Sequence, residues 1–148
     1  MRKPSASSQR YKWIDIEDFE FMCFNLAKEL LEFNEPIPDY KNTDKALLES
    51  SLNSPRLAHE FSKSNLEEQA SILFYSVIKN HPFKNGNKRI AVMTLLVFLT
   101  INGYWMKIRP QLLYELAVLV AGSDPKEREY ILKENTKIFN EHIITFSA

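Results

Sequence analysis

Apolar residues recur at three- and four-residue spacing along most of the chain, a pattern that predicts helices rather than strands. We expect a first helix from about Ile16 to Glu32, because Asp15 and Asp18 can cap its start. The predicted inward face of this helix consists of Phe19, Met22, Leu26, Leu30 and Phe33.

Turn-forming and capping residues divide the next part of the chain. A loop is expected from Asn34 to Asn42, and Thr43 can cap a short second helix that ends at Leu52. The polar stretch Asn53–Ser64 contains Pro55 and is predicted to be a connector or flap.

A capping box, Ser64-Asn65-Leu66-Glu67, opens the next predicted helix. Pro82 disfavours helical geometry at His81, so this helix is expected to end near Asn80.

The run Ile90–Ile101 is apolar on nearly every side and belongs to a helix predicted from about Asn87 to Ile101. A helix without a polar face is typical of the buried centre of a bundle. A membrane span needs about 20 such residues, and this run is too short.

Shorter elements are predicted after this helix. Asn102-Gly103 supplies a left-handed stop, and Tyr104 to Ile108 is expected to be extended. Pro110 can open a further helix, and Ser123-Asp124-Pro125 can cap and start a last one. The predicted fold class is therefore all-α, with about six helices around the central apolar helix at residues 87–101.

The composition of the 148 residues is that of an ordinary globular domain. We expect a flexible N-terminal tail at residues 1–12 and a single domain at residues 13–148. Cys23 is the sole cysteine and no secretory signal is recognised, so a cytoplasmic setting is expected. The 19 basic and 19 acidic residues balance, which argues against direct nucleic-acid binding.

The balanced charge hides an uneven distribution. Between Glu68 and Glu115 there is no acidic residue, whereas six basic residues occur there: Lys79, Lys84, Lys88, Arg89, Lys107 and Arg109. Such a separation of basic from acidic residues bears on which partners the protein binds. It is compatible with a mostly buried stretch whose few charges happen to be basic, and equally with a site for a phosphate-bearing ligand.

The segment His81-Pro82-Phe83-Lys84-Asn85-Gly86-Asn87-Lys88-Arg89 places two cations at the start of the central helix. A helix N-terminus presents unpaired N–H groups and a partial positive charge, which together attract anions. Lys88 and Arg89 are disfavoured there by the helix dipole unless an anion offsets them. The segment therefore predicts a phosphate site, with Gly86 allowing close approach of the backbone. A plain helix–loop–helix turn with solvated lysines is the alternative.

His81 lies at the entrance to this predicted site. An imidazole there suits a general base that takes a proton from an incoming hydroxyl. Phe83 is expected to be a structural anchor that holds the loop against the core. The Walker and dinucleotide-binding glycine patterns are both absent.

The nine residues resemble the signature H-x-F-x-[DE]-G-N-[GK]-R of the Fic/Doc family. Ala46–Pro55 is similar to the LLESAL-x-x-P segment of the death-on-curing (Doc) branch, as are Asn102-Gly103-Tyr104 and Leu113–Ala117. The resemblance covers roughly Trp13 to Ala121.

This resemblance implies a Fic/Doc fold that transfers part of a nucleoside triphosphate to a protein hydroxyl, with ATP as co-substrate and Mg²⁺ as cofactor. It implies that His81 is the general base and that the phosphates bind at the loop and the helix terminus. The corresponding residues are Lys84, Gly86, Asn87, Lys88 and Arg89.

Two positions favour the Doc branch within this resemblance. Lys88 stands where Doc-type toxins have lysine and AMP-transferring Fic enzymes have glycine. Val92 stands where many of the latter have a second arginine. Both imply transfer of the γ-phosphate to a Ser/Thr hydroxyl rather than transfer of AMP.

Asn85 departs from the signature, because it stands where the family has the acid that holds Mg²⁺. An amide oxygen is a neutral ligand, so metal affinity should fall unless an acid from elsewhere in the fold substitutes. Three functions follow: a Doc-like phosphotransferase, a Fic-type adenylyltransferase, and a catalytically weakened module that binds a nucleotide or a partner.

The resemblance also bears on partners. The family's inhibitory pattern [ST]-x-x-x-E-[GN] is not matched at Glu68 or Glu127, which are interpreted as helix caps, so a separate antitoxin is implied. The implied target is a protein with an acceptor hydroxyl, such as a translation factor, and no membrane partner is expected. Arg56 and His59 are expected either in a flap that aligns the target or as solvated loop residues.

Overall fold

The computed structural model describes residues 10–30 and 35–146. The expectations for residues 1–9, for the end of the first helix at Glu32 and for Phe33 lie outside the described residues. The elements in chain order are α1 (Ile16–Phe19), a π-helical turn (Glu20–Phe24), α2 (Asn25–Leu30), a 3₁₀ turn (Tyr40–Asn42), α3 (Lys45–Ser62), α4 (Leu66–Asn80), α5 (Asn87–Ile101), β1 (Tyr104–Met106), α6 (Pro110–Gly122), a 3₁₀ turn (Pro125–Glu127), α7 (Arg128–His142) and β2 (Ile143–Thr145).

The central helix is the predicted one, α5, and its bounds match the prediction. It contacts α2, the π-helical turn, α4, α6 and β1, and most of its side chains are buried on all sides. The all-α class is therefore confirmed. Taking α1, the π-helical turn and α2 as one continuous helix, the described residues form six helices, of which α5 is the central one.

The π-helical turn changes which side of the first helix faces the core. Cys23, Phe24 and Ala27 are buried, whereas the predicted inward residue Leu30 is 64% exposed. A π turn inserts an extra residue, so the residues after it rotate relative to an uninterrupted 3.6-residue pattern. Met22 and Leu30 instead help to line an apolar groove of about 640 Å³ against α5.

The predicted connector after residue 52 is wrong, because α3 continues to Ser62 and begins after Asp44 rather than Thr43. The Asp44 side chain accepts the Leu47 N–H at 3.1 Å. Pro55 lies inside the helix and provides no N–H for the Ser51 carbonyl. That carbonyl accepts the Ser54 hydroxyl at 2.7 Å instead, which satisfies it within the helix.

The capping box of α4 lies one residue later than predicted. Asn65, rather than Ser64, is the N-cap, and its side chain and that of Glu68 bond reciprocally to backbone N–H groups. Glu127 closes an equivalent box with Asp124 before α7. Both glutamates are thus helix caps, as interpreted from the sequence.

The last strand pairs with the segment after α5, a strand pair that the sequence did not predict as such. β1 pairs antiparallel with β2, with Tyr104 opposite Thr145. Two residues of the expected tail are held by the fold: Tyr11 is buried, and the exposed Lys12 donates its N–H to the Asn102 side chain at 2.8 Å. Among the described helices, none has the length and apolar character required to cross a membrane.

Cys23 is fully buried against α5, and this burial changes the pKa of its thiol. Burial raises the pKa of its thiol to about 12, although a hydrogen bond with the Thr94 side chain opposes the shift. The folded protein therefore holds this proton in a range of pH in which the unfolded chain, with a value of 9.0, releases it.

We predict that this thiol makes the fold sensitive to alkali. Its contribution to stability is complete below pH 9 and is lost as pH rises toward 12, so it should cost about 1.4 kcal/mol at pH 10. The free energy of unfolding in urea, measured at pH 7.5 and pH 10, should fall more for the wild type than for Cys23→Ala. Equal losses in the two proteins would contradict this prediction.

Candidate active site

The loop between α4 and α5 starts with an unusual backbone conformation. His81 has φ 53° and ψ 55°, in the left-handed region, where a residue with a side chain is uncommon. A left-handed residue is a common way for a helix to end, and His81 is the C-cap of α4; Pro82 prevents the right-handed helix from continuing through it. The Pro82 carbonyl accepts the Asp44 N–H at 2.8 Å, which ties the loop to the start of α3, and His81 is exposed to solvent.

Phe83 and Asn87 hold the loop closed from inside. Phe83 is 2% exposed and its ring packs against Phe19 and Phe24. The buried Asn87 side chain accepts the Phe83 N–H at 3.1 Å and donates to the Phe83 carbonyl at 2.8 Å. The Asn87 side chain thus pairs both backbone groups of Phe83 and shapes the loop.

Gly86 is the N-cap of α5 and has φ 79°. A Cβ at this position would lie 3.0 Å from both the Pro36 carbonyl oxygen and Ile37 Cγ1. Glycine is therefore required by conformation and by the close approach of the segment that contains Pro36.

The first turn of α5 already holds an anion, the carboxylate of Glu35. Lys88 Nζ lies 2.6 Å from Glu35 Oε2, and the Arg89 N–H donates to Oε1 at 3.0 Å. The Glu35 side chain is 7% exposed and that of Lys88 is 28% exposed. Lys88 and Arg89 at the positive end of the helix dipole require an anion, and in this conformation Glu35 of the same protein supplies it.

The Arg89 guanidinium bonds to two main-chain carbonyls, one of which belongs to Glu35. Its two terminal nitrogens donate to the Glu35 carbonyl at 3.1 Å and to the Lys28 carbonyl at 2.9 Å. The phosphate grip expected from the sequence is therefore not available in this conformation, since both NH₂ groups bond to main-chain carbonyls, one in α2 and one at Glu35.

The hydroxyl of Tyr114 in α6 is affected by the charges of Glu35 and Lys88. Burial raises the pKa of its hydroxyl, the negative charge of Glu35 raises it further, and Lys88 lowers it. The α6 helix therefore brings a neutral hydroxyl close to the Glu35–Lys88 pair.

Lys84 and Asn85 are exposed at the outer part of the loop. The Asn85 side-chain oxygen accepts the N–H of its neighbour Gly86 at 2.8 Å. Within the described ranges, no three His, Cys, Asp or Glu side chains gather as a metal site, and Glu35 is already paired. These residues do not fit a Mg²⁺ ion held by the protein alone, because Mg²⁺ is usually bound through one or two carboxylates plus substrate phosphates.

Arg56 and His59 lie on α3 instead of in a flap. His59 contacts the rings of Tyr11 and Trp13, and its Nδ1 lies 3.3 Å from the Ser64 carbonyl. Arg56 faces Glu60 at 4.0 Å. The flap is therefore not formed by this segment, which is helical.

Sequence reasoning missed Glu35. The signal was present in part, because two cations at a helix N-terminus predict an anion. Spacing could not identify it, since Glu35 lies 53 residues before Lys88 and reaches it only through the fold.

The site is thus the glycine-capped N-terminus of a buried apolar helix, where a carboxylate is bound, with a histidine at the start of the preceding loop. The family model of the Fic/DOC family matches residues 14–99. The chain therefore belongs to the Fic/DOC family. No curated protein and no solved structure matches the chain.

Membership supports transfer of part of a nucleotide in general. The matched range includes the whole loop and nearly all of α5. Val92, at the position of the second arginine of many AMP-transferring members, is fully buried in the core. That position therefore contributes no polar group to the site.

We predict that Asn87 is needed for the shape of the loop. Asn87→Ala leaves two buried backbone groups of Phe83 unpaired, which should lower the free energy of unfolding by about 2 kcal/mol or more. Lys84→Ala, at an exposed position of the same loop, should change it by about 0.5 kcal/mol or less. Urea denaturation of both variants tests this, and equal losses would show that the Phe83 contacts are not responsible.

Proposed function

We propose that this protein is a Doc-like phosphotransferase that moves the γ-phosphate of ATP to a Ser or Thr hydroxyl of a target protein. In this proposal it is the toxin of a toxin–antitoxin pair, and its target is a component such as a translation factor. The inhibitor is a separate antitoxin, because Glu68 and Glu127 serve as helix caps.

The observation that carries the proposal is the carboxylate bound at the first turn of α5. Lys88 Nζ and the Arg89 N–H bind its two oxygens at 2.6 and 3.0 Å. A phosphate oxygen has the same requirements as a carboxylate oxygen: a positive charge and aligned N–H donors. The cation at residue 88 is also what separates the Doc branch from the glycine of AMP-transferring members.

The residues of the loop and of the first turn of α5 have different roles in this proposal. The backbone N–H groups of Asn87 and Lys88 have no acceptor within the described part of the chain, so they are available to phosphate oxygens. The Lys88 ammonium neutralises charge on the transferred group, and Lys84 is exposed on the same loop. Mg²⁺ would arrive with the phosphates of ATP as part of the substrate, with Asn85 as a neutral neighbour.

His81 is the general base in this proposal. It takes the proton of the acceptor hydroxyl as that oxygen bonds to the γ-phosphorus, and the bond from the γ-phosphorus to the bridging oxygen breaks. The electron pair of that bond leaves with ADP. Positioning and charge neutralisation supply most of the catalysis in reactions of this type.

A second candidate is a binding module with weakened catalysis. It is favoured by Asn85, which provides no charge for a metal, and by Glu35, which already neutralises Lys88. Such a module would bind a nucleotide or a partner at the same terminus without transfer.

We predict a γ-phosphate label on a target protein. Purified protein is incubated in cell lysate with Mg²⁺ and either α- or γ-labelled ATP, and His81→Ala is treated in parallel. The expected result is a γ label on a discrete protein band, reduced by a factor of roughly 100 or more in His81→Ala because the general base is lost.

His59→Ala is the matched control, since His59 is a histidine on α3 that packs against Tyr11 and Trp13. It should keep the label. An α label that depends on His81 would replace the proposal with AMP transfer. If neither label appears and Asn85→Asp restores one, the protein is the weakened binding module.

A further inference from the structure

We propose that Glu35 is an internal competitor for the phosphate site, so that ATP must displace its carboxylate from Lys88 before the site can be used. This inference rests on the proposed function, because it concerns the same site. It concerns a residue outside the signature loop, in the connection between α2 and the 3₁₀ turn.

Glu35 is bound as a ligand would be. Its side chain is 7% exposed, and each carboxylate oxygen has its own donor, Lys88 Nζ at 2.6 Å and the Arg89 N–H at 3.0 Å. Such burial of a carboxylate is costly unless the charge is paired and hydrogen-bonded. Both conditions are met here, so the arrangement with Glu35 bound to Lys88 and Arg89 is a stable state of the site.

A phosphate and this carboxylate compete for the Lys88 ammonium and the Arg89 N–H, although the N–H groups of Asn87 and Lys88 stay available to a phosphate. The backbone amide of Arg89 has a single hydrogen, which it donates to Glu35. Among the described residues, Lys88 is the lysine paired with that carboxylate. Two anions held by one lysine would also repel each other at short range. A phosphate group carries more charge and more acceptor oxygens than a carboxylate, and it is therefore able to take the place of Glu35.

Displacement requires only the side chain to move. The Arg89 guanidinium binds the main-chain carbonyls of Glu35 and Lys28, at 3.1 and 2.9 Å, and not the carboxylate. The segment can therefore remain attached to α5 while the carboxylate leaves Lys88. Arg89 acts in this inference as a positioning residue for that segment.

The test is the affinity for ATP of the wild type, Glu35→Gln and a charge-matched control. Glu60→Gln removes an exposed glutamate of α3 whose partner is Arg56, so it changes the net charge equally away from the loop. A competitor that occupies the site in nine molecules of ten weakens the apparent affinity about ten-fold. We expect Glu35→Gln to bind ATP about ten-fold more tightly in calorimetry and Glu60→Gln to match the wild type.

Unchanged or weaker binding by a folded Glu35→Gln would overturn the inference. If that variant does not fold, the wild type decides the question, through the side-chain carboxyl ¹³C resonance of Glu35. ATP should shift this resonance toward that of the exposed Glu60, and no shift at saturating ATP would overturn the inference as well.

The measurements distinguish failure of the Glu35 inference from failure of the phosphotransferase proposal. Tighter ATP binding by Glu35→Gln without any labelled target supports the competitor and removes the phosphotransferase. Labelling by the wild type with equal ATP affinity in all three proteins keeps the phosphotransferase and removes the competitor.

Discussion

The pairing of the Glu35 carboxylate with the first turn of α5 is the interaction on which the rest of the site depends. Lys88 and Arg89 add two positive charges to a helix end that is itself positive, and the carboxylate offsets them. To reach that position, the segment from Glu35 to Ile37 must cross directly over Gly86. The loop, the glycine and the charged turn therefore form one unit.

Much of the fold followed from the sequence, because burial of an all-apolar helix leaves few alternatives. The bounds of α5 and the end of α4 before Pro82 were predicted correctly. Errors occurred where a tertiary contact overrides a local signal. Pro55 suggested a break, but the helix continues because α3 packs along α4, and the Ser54 hydroxyl satisfies the carbonyl that proline leaves unpaired. The π-helical turn has no simple signature in the apolar spacing.

The site was predictable as a set of residues but not as a set of contacts. The conflict between the two cations and the helix dipole indicated that an anion belongs there. It did not indicate that a glutamate 53 residues before Lys88 fills that place, nor that the Arg89 guanidinium faces backbone carbonyls. Asn87 was expected to bind phosphate, and its side chain proves to be bonded to Phe83. Partners that are distant in sequence are fixed by packing, which a single sequence does not display.

The close contact at Gly86 has a consequence for how this protein tolerates sequence change. Because a side chain at residue 86 would collide with Pro36 and Ile37, the acceptable residues at these positions depend on one another. Substitutions on either side of the contact should therefore be non-additive in stability. Relatives that carry a larger residue at 86 would need a differently routed connection, and such a rerouting would remove Glu35 from Lys88. A change of one residue in the loop is in this way linked to the charge state of the helix terminus.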